Sequence, residues 1–82
     1  MSHSESYQAI VEKVYRSGPH GPYAVAKNDA LGSITFSLGK KVWEETIEPE
    51  PGTYVLLSQI TKKRAGWRAG SGRFVRPSDT KQ

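Results

Sequence analysis

The chain contains no cysteine. That excludes two devices by which small proteins supplement a limited core, a disulfide framework and a thiolate-bound metal. Histidine is scarce as well. His3 sits in the polar opening stretch and His20 in a Pro/Gly turn, and neither has a partner at metal-ligand spacing. No apolar run approaches the roughly 20 residues that a membrane-crossing helix needs. The opening MSHSESYQ lacks the basic start and apolar stretch of a signal peptide. These absences predict a soluble, cytoplasmic, monomeric protein without metal or cofactor.

Catalytic groups are equally thin. Glu44, Glu45, Glu48 and Glu50 crowd one connector, but their interruption by prolines matches no calcium-loop spacing. The glycine-rich AGSGR at 69–73 lacks the Lys-Ser/Thr ending of a phosphate loop and opens no helix. No nucleophile has an evident base. The expectation is a protein that is not an enzyme.

What is present is charge, unevenly placed. The 82-residue chain carries a net +4. Residues 1–50 hold a balance of −2 and residues 51–82 a balance of +6. Most of the excess lies in KKRAGWRAGSGRFVR, which contains Lys62, Lys63, Arg64, Arg68, Arg73 and Arg76 with no acidic residue. A field of this kind favours an anionic partner, although a solvated hairpin would show the same composition.

A chain of this length can bury one small core. The reading is a single domain over 6–77, with disordered polar tails at 1–5 and 78–82. In SITFSL, Ile34, Phe36 and Leu38 alternate with serine and threonine, as in a half-buried strand. With GPYAVAK before it and the polar NDALG between, it predicts a hairpin. Pro49 and Pro51 exclude a long regular element in the acidic connector. TYVLLSQIT predicts a fourth strand and WRAGSGRFVRP a last one, loosened by Gly70 and Gly72 and stopped by Pro77.

The first segment, SYQAIVEKVYRSGPHGP, supports two readings. Tyr7, Ile10, Val11, Val14 and Tyr15 fall at helical spacing, with Gly18-Pro19 as a stop. Yet the segment is rich in β-branched and aromatic residues, and its alternation shifts midway, as a bulged strand would require. The expectation carried forward is all-β, a small five-stranded OB-like Greek-key barrel. Its alternative is an α+β fold with an N-terminal helix at 6–16.

Proteins that hold single strands combine a positive track with rings on which bases stack. Tyr23 is a candidate platform, or packs on the SGPHG loop. Phe36 is a second candidate, although it shares its face with Ile34 and Leu38 and reads as core before platform. Trp67, between Gly66 and Arg68, packs under the turn or is exposed. Tyr54 reads as core with its hydroxyl at the rim. Trp43 reads as a plug for the open barrel end rather than a platform.

The order of these segments resembles the OB fold, in particular its cold-shock-like members. SGPHGPYAVA is similar to that family's glycine-containing turn and aromatic strand, and SITFSL to its following strand. PGTYVLLSQI has the family's Gly before a hydrophobic strand, and KKRAGWRAGSGRFV looks like its final hairpin. The family usually has two aromatics in close alternation on the second strand, whereas Tyr23 here is followed by Ala24, Val25 and Ala26. The resemblance implies a single-stranded nucleic acid lying across the second and third strands, contacting Tyr23, Lys27 and Phe36, with Lys13 alongside. Charge adds Lys62, Lys63, Arg64, Trp67, Arg68, Arg73 and Arg76. The expected function is binding of single-stranded or structured nucleic acid, RNA in preference to DNA. The alternative is a small barrel that docks an acidic protein partner.

Overall fold

The structure is a computed structural model that describes residues 6–16, 21–64 and 66–76. His3, His20 and both expected tails lie outside them. The described residues form five strands: β1 (Ser6–Tyr15), β2 (Tyr23–Asn28), β3 (Gly32–Ser37), β4 (Tyr54–Lys63) and β5 (Gly66–Phe74). They form a closed barrel in the order β1-β2-β3-β5-β4. β3 and β5 pair in parallel and every other neighbour is antiparallel. The described residues contain no helix, and so none long and apolar enough to cross a membrane.

The N-terminal segment is therefore a strand, and the alternative helix at 6–16 is not formed. Its pattern suits a strand shared between two neighbours. Ser6–Ile10 pairs with β4, and Ile10–Tyr15 pairs with β2. The register shifts between Val11 and Lys13. Glu12 is thus the extra residue of a bulge, which bends the strand and moves inward-facing positions from Ala9 and Val11 to Val14. That shift accounts for the helix-like spacing of the segment.

The interior follows a small-against-large rule. Phe36 is fully buried, with Ala24 opposite it on β2 and Ala69 beside it on β5. Ala26 stands opposite Ile34. A five-stranded barrel leaves little room inside, so a large ring on one strand requires small residues on its neighbours. This accounts for Tyr-Ala-Val-Ala in β2: the two alanines face the core and make space for Phe36 and Ile34. Trp43 is 3% exposed. Its ring centre lies 5.7 Å from that of Phe36 and 5.0 Å, edge-on, from that of Phe74, while its indole N–H donates to the Ile47 carbonyl at 2.7 Å.

Where β3 leaves β5, the connector takes over. Gly72 N–H donates to Val42 O and Glu44 N–H donates to Gly72 O, each at 2.9 Å. A Cβ on Gly72 would stand 2.9 Å from Leu57 Cδ2 and 3.3 Å from Trp43 Cε3, so a larger residue would force these packed side chains to shift. At the other end of the barrel, Asn28 organises the β2–β3 turn. Its side-chain oxygen accepts from Ala30 and Leu31 N–H, and its amide donates to Gln8 O on β1, each at 2.8 Å.

Two substitutions test this packing by denaturant unfolding. Phe36→Ala is expected to lower stability by about 3–5 kcal/mol, because the alanines around it cannot close the space. Gly72→Ala is expected to lower it by about 1–3 kcal/mol through overpacking against Leu57 and Trp43.

Candidate functional site

Residues directly opposite one another on neighbouring strands share a face. Lys13 on β1 stands opposite Val25 on β2, Val25 opposite Thr35 on β3, Thr35 beside Arg68 on β5, and Arg68 opposite Thr61 on β4. Lys13, Arg68 and Thr61 are exposed, and Val25 and Thr35 are partly so. One row of outward side chains thus crosses all five strands, with a cation on β1 and another on β5. Thr35 Oγ1 donates to Trp67 O at 3.3 Å and Thr61 Oγ1 to Arg68 O at 3.5 Å, tying the row to the backbone of β5.

Parallel rows lie on either side. Tyr15 stands opposite Tyr23, and Tyr23 opposite Ser37. The two tyrosine rings are stacked, with centres 4.9 Å apart and planes at 22°. Tyr15 is 38% exposed. The other row runs from Ser33 through Lys27 and Ile10 to Tyr54. The outer wall of β1, β2, β3 and β5 therefore combines an aromatic pair with Lys13, Lys27 and Arg68. Ser33, Thr35 and Ser37 line β3 between them.

Further basic side chains lie at the end of β4 and in the turn after it. Lys62, Lys63 and Arg64 are all exposed. Lys62 stands opposite Trp67, and its ammonium lies 5.2 Å from the centre of the indole. This cation–π contact holds one basic side chain against the hairpin. Trp67 itself is partly buried and packs against the core beside Ile34, so of the two expectations the packed one describes it.

Three expectations need correction. Phe36 cannot serve as a stacking platform, because the ring fills the barrel between Ala24 and Ala69. Tyr54 is not core but 54% exposed, since Val55 and Leu57 take the inward positions of β4. The basic run is also divided. Arg73 stands opposite Leu56, toward the far end of β5, and its guanidinium donates to Phe74 O at 3.2 Å. Arg76 pairs with Glu45 at 3.0 Å. The same carboxylate accepts from Phe74 N–H at 3.2 Å, and Ser71 bonds the Glu44 carboxylate. The acidic connector thus lies along the end of β5 that carries Arg73 and leads to Arg76, while Arg64 and Arg68 belong to the tip and wall. Farther along the connector, Glu48 pairs with Arg16 at 2.6 Å.

Tyr15 was missed because its value depends on pairing. The sequence shows it only as one of five residues at helical spacing, and the β1–β2 register alone lays it on Tyr23. Among the described residues, no cluster of three or more histidine, cysteine or acidic side chains is placed to hold a metal ion.

The division of the basic run has a measurable consequence. Retention on immobilised heparin is expected to fall clearly for Arg64→Ala with Arg68→Ala, and much less for Arg73→Ala with Arg76→Ala. Equal losses from the two pairs would show that the run acts as one surface.

No protein-family model, curated protein or solved structure matches this chain.

Proposed function

We propose that this protein is a non-enzymatic module that binds single-stranded nucleic acid, RNA in preference to DNA, on the outer wall of β1, β2, β3 and β5. The observation that carries the reading is the cross-strand row from Lys13 through Val25 and Thr35 to Arg68, with the Tyr15–Tyr23 pair beside it. Lys13 on β1 and Arg68 on β5 bracket the small side chains of Val25 and Thr35, and the stacked tyrosine rings lie in the next row. A single strand suits that division, since its bases can lie on the tyrosines, Val25 and Thr35 while its phosphates meet the flanking cations. A duplex presents phosphates outward and hides its base faces. Lys62, Lys63 and Arg64 at the hairpin tip would continue the phosphate track. Ser33 and its neighbours on β3 provide hydroxyls for a ribose 2′-OH, which is the ground for preferring RNA.

The strand order, with β3 parallel to β5, supports the resemblance to the OB fold, whose second and third strands and β4–β5 loop bind oligonucleotides. In this chain the β4–β5 loop is the basic tip. Selectivity among bases would be modest, because stacking accepts any base.

A second reading draws on the row that ends at Tyr54 on β4. Tyr54 and the partly buried Ile10 border an open depression of about 450 Å³ lined also by Lys27, Asn28 and Asp29, and Tyr54 is an exposed ring that the nucleic-acid reading does not use. An acidic protein partner with an apolar anchor would use it.

The test is titration of labelled single-stranded RNA and DNA oligonucleotides at two salt concentrations. Binding that weakens steeply with salt is expected, and no binding at low salt overturns the proposal in favour of the protein partner. Replacing Arg64 and Arg68 together by alanine is expected to weaken binding. It should also reduce the slope of log affinity against log salt by about 1.4, at about 0.7 for each phosphate no longer neutralised. The unfolding midpoint should hardly move.

A further inference from the structure

The β4–β5 hairpin changes face partway along. Near the acidic connector, Leu57 and its opposite residue Gly72 point inward, and Ser58 and Ser71 point outward. Strict alternation would turn residues 59 and 70 inward, 60 and 69 outward, and 61 and 68 inward. The structure does the opposite beyond this point. Ile60 packs against the core, Ala69 is buried opposite it, and Thr61 and Arg68 face solvent. The inward positions at this point step by three residues rather than two on each strand.

The extra step on β4 is Gln59 and on β5 it is Gly70. Their pairing is missing between Ser58–Ser71 and Ile60–Ala69. Gln59 has φ of +54°, the one non-glycine residue in the left-handed region among those described. Such a conformation is unfavourable for a side chain with Cβ and persists only where the surroundings impose it. Directly across, a Cβ on residue 70 would meet Gln59 Oε1 at 3.0 Å and Gln59 Cβ at 3.1 Å. The absent side chain of Gly70 makes room for the turned-out Gln59.

We infer that Gln59 and Gly70 form a crease that selects which side of the basic hairpin faces outward, with Gln59 as a positioning residue for the cationic wall. Without the crease, Arg68 would point toward the core and Trp67 toward solvent. With it, Trp67 is drawn in beside Ile34, and Arg68 joins Thr35, Val25 and Lys13 in the outer row. The geometric part stands alone; the part concerning Arg68 in binding rests on the nucleic-acid reading above.

The experiment compares Gln59→Gly and Gln59→Asn, which tolerate a positive φ, with Gln59→Val and Gly70→Val, which do not fit the crease. Acrylamide quenching of tryptophan fluorescence reads the structure. Trp43 is buried in the core, so a change in quenching reports Trp67. Oligonucleotide affinity is measured for each variant with and without Arg68→Ala. The Gly and Asn variants are expected to be at least nearly as stable as the parent, with Trp67 still protected and Arg68→Ala still weakening binding. The valine variants are expected to expose Trp67, to bind at least several-fold more weakly, and to lose nothing further with Arg68→Ala. A folded Gln59→Val protein with Trp67 protected and Arg68 still contributing overturns the inference. If neither valine variant folds, Gln59→Gly decides: new exposure of Trp67 there overturns it, and retained protection supports it. If the parent binds no oligonucleotide, the proposed function fails, while the quenching comparison still decides the crease.

Discussion

The structure depends on β1 serving two neighbours. Its first half completes the pairing of β4 and its second half that of β2, so the sheet closes only if this one strand bends. The bulge at Glu12 provides the bend. The loop before β4 is fastened to the same place: Val11 N–H donates to Thr53 O at 2.8 Å, and Gly52 N–H donates to Val11 O at 2.7 Å. With no disulfide and a small interior, closure of the ladder does the work that a larger core would do elsewhere.

Closure also explains how the outer wall comes to be ordered. Cross-strand pairing converts five separate segments into rows, and a row places side chains from β1 and β5 on a common track although they are far apart in the chain. The inner rows are devoted to packing, with alanines beside Phe36 and Ile34. The outer rows can carry charge and exposed rings. The acidic connector lies along the other end of β5, where Glu45 is committed to Arg76 and to the Phe74 amide. The fold thus brings Arg76 against a connector carboxylate that lies far from it in the sequence, and leaves Lys13, Lys27 and Arg68 exposed on the outer rows.

Much of the fold was legible before the structure. The alternation of SITFSL placed Ile34, Phe36 and Leu38 inside, the prolines kept the connector irregular, and the mid-strand shift in the first segment pointed to a bulge. Two kinds of information were not legible. TYVLLSQI offers apolar residues to both faces, so local pattern could not tell whether Tyr54 and Leu56 or Val55 and Leu57 turn inward; packing against Ala9 and Gly72 settles it for the second pair. The site needed register as well. Tyr15 gains significance only opposite Tyr23, and the six basic residues of the last hairpin look continuous until the strand's length carries Arg73 and Arg76 to the acidic connector. The crease at Gln59 left a faint mark, the three-residue step from Leu57 to Ile60, which has no meaning until the partner strand shows the same step.

The barrel has a consequence for how any partner must approach. An open sheet exposes rows of backbone donors and acceptors that can adopt a foreign strand, whether from a peptide ligand or from another copy. Here the strands are joined in a ring, and where β3 departs the connector fills the gap at Gly72. Along the paired lengths of the described strands, no row is left for a foreign strand to join. Whatever it recognises must be read by the outward side chains and the turns, which can change without disturbing the interior that Phe36 fills.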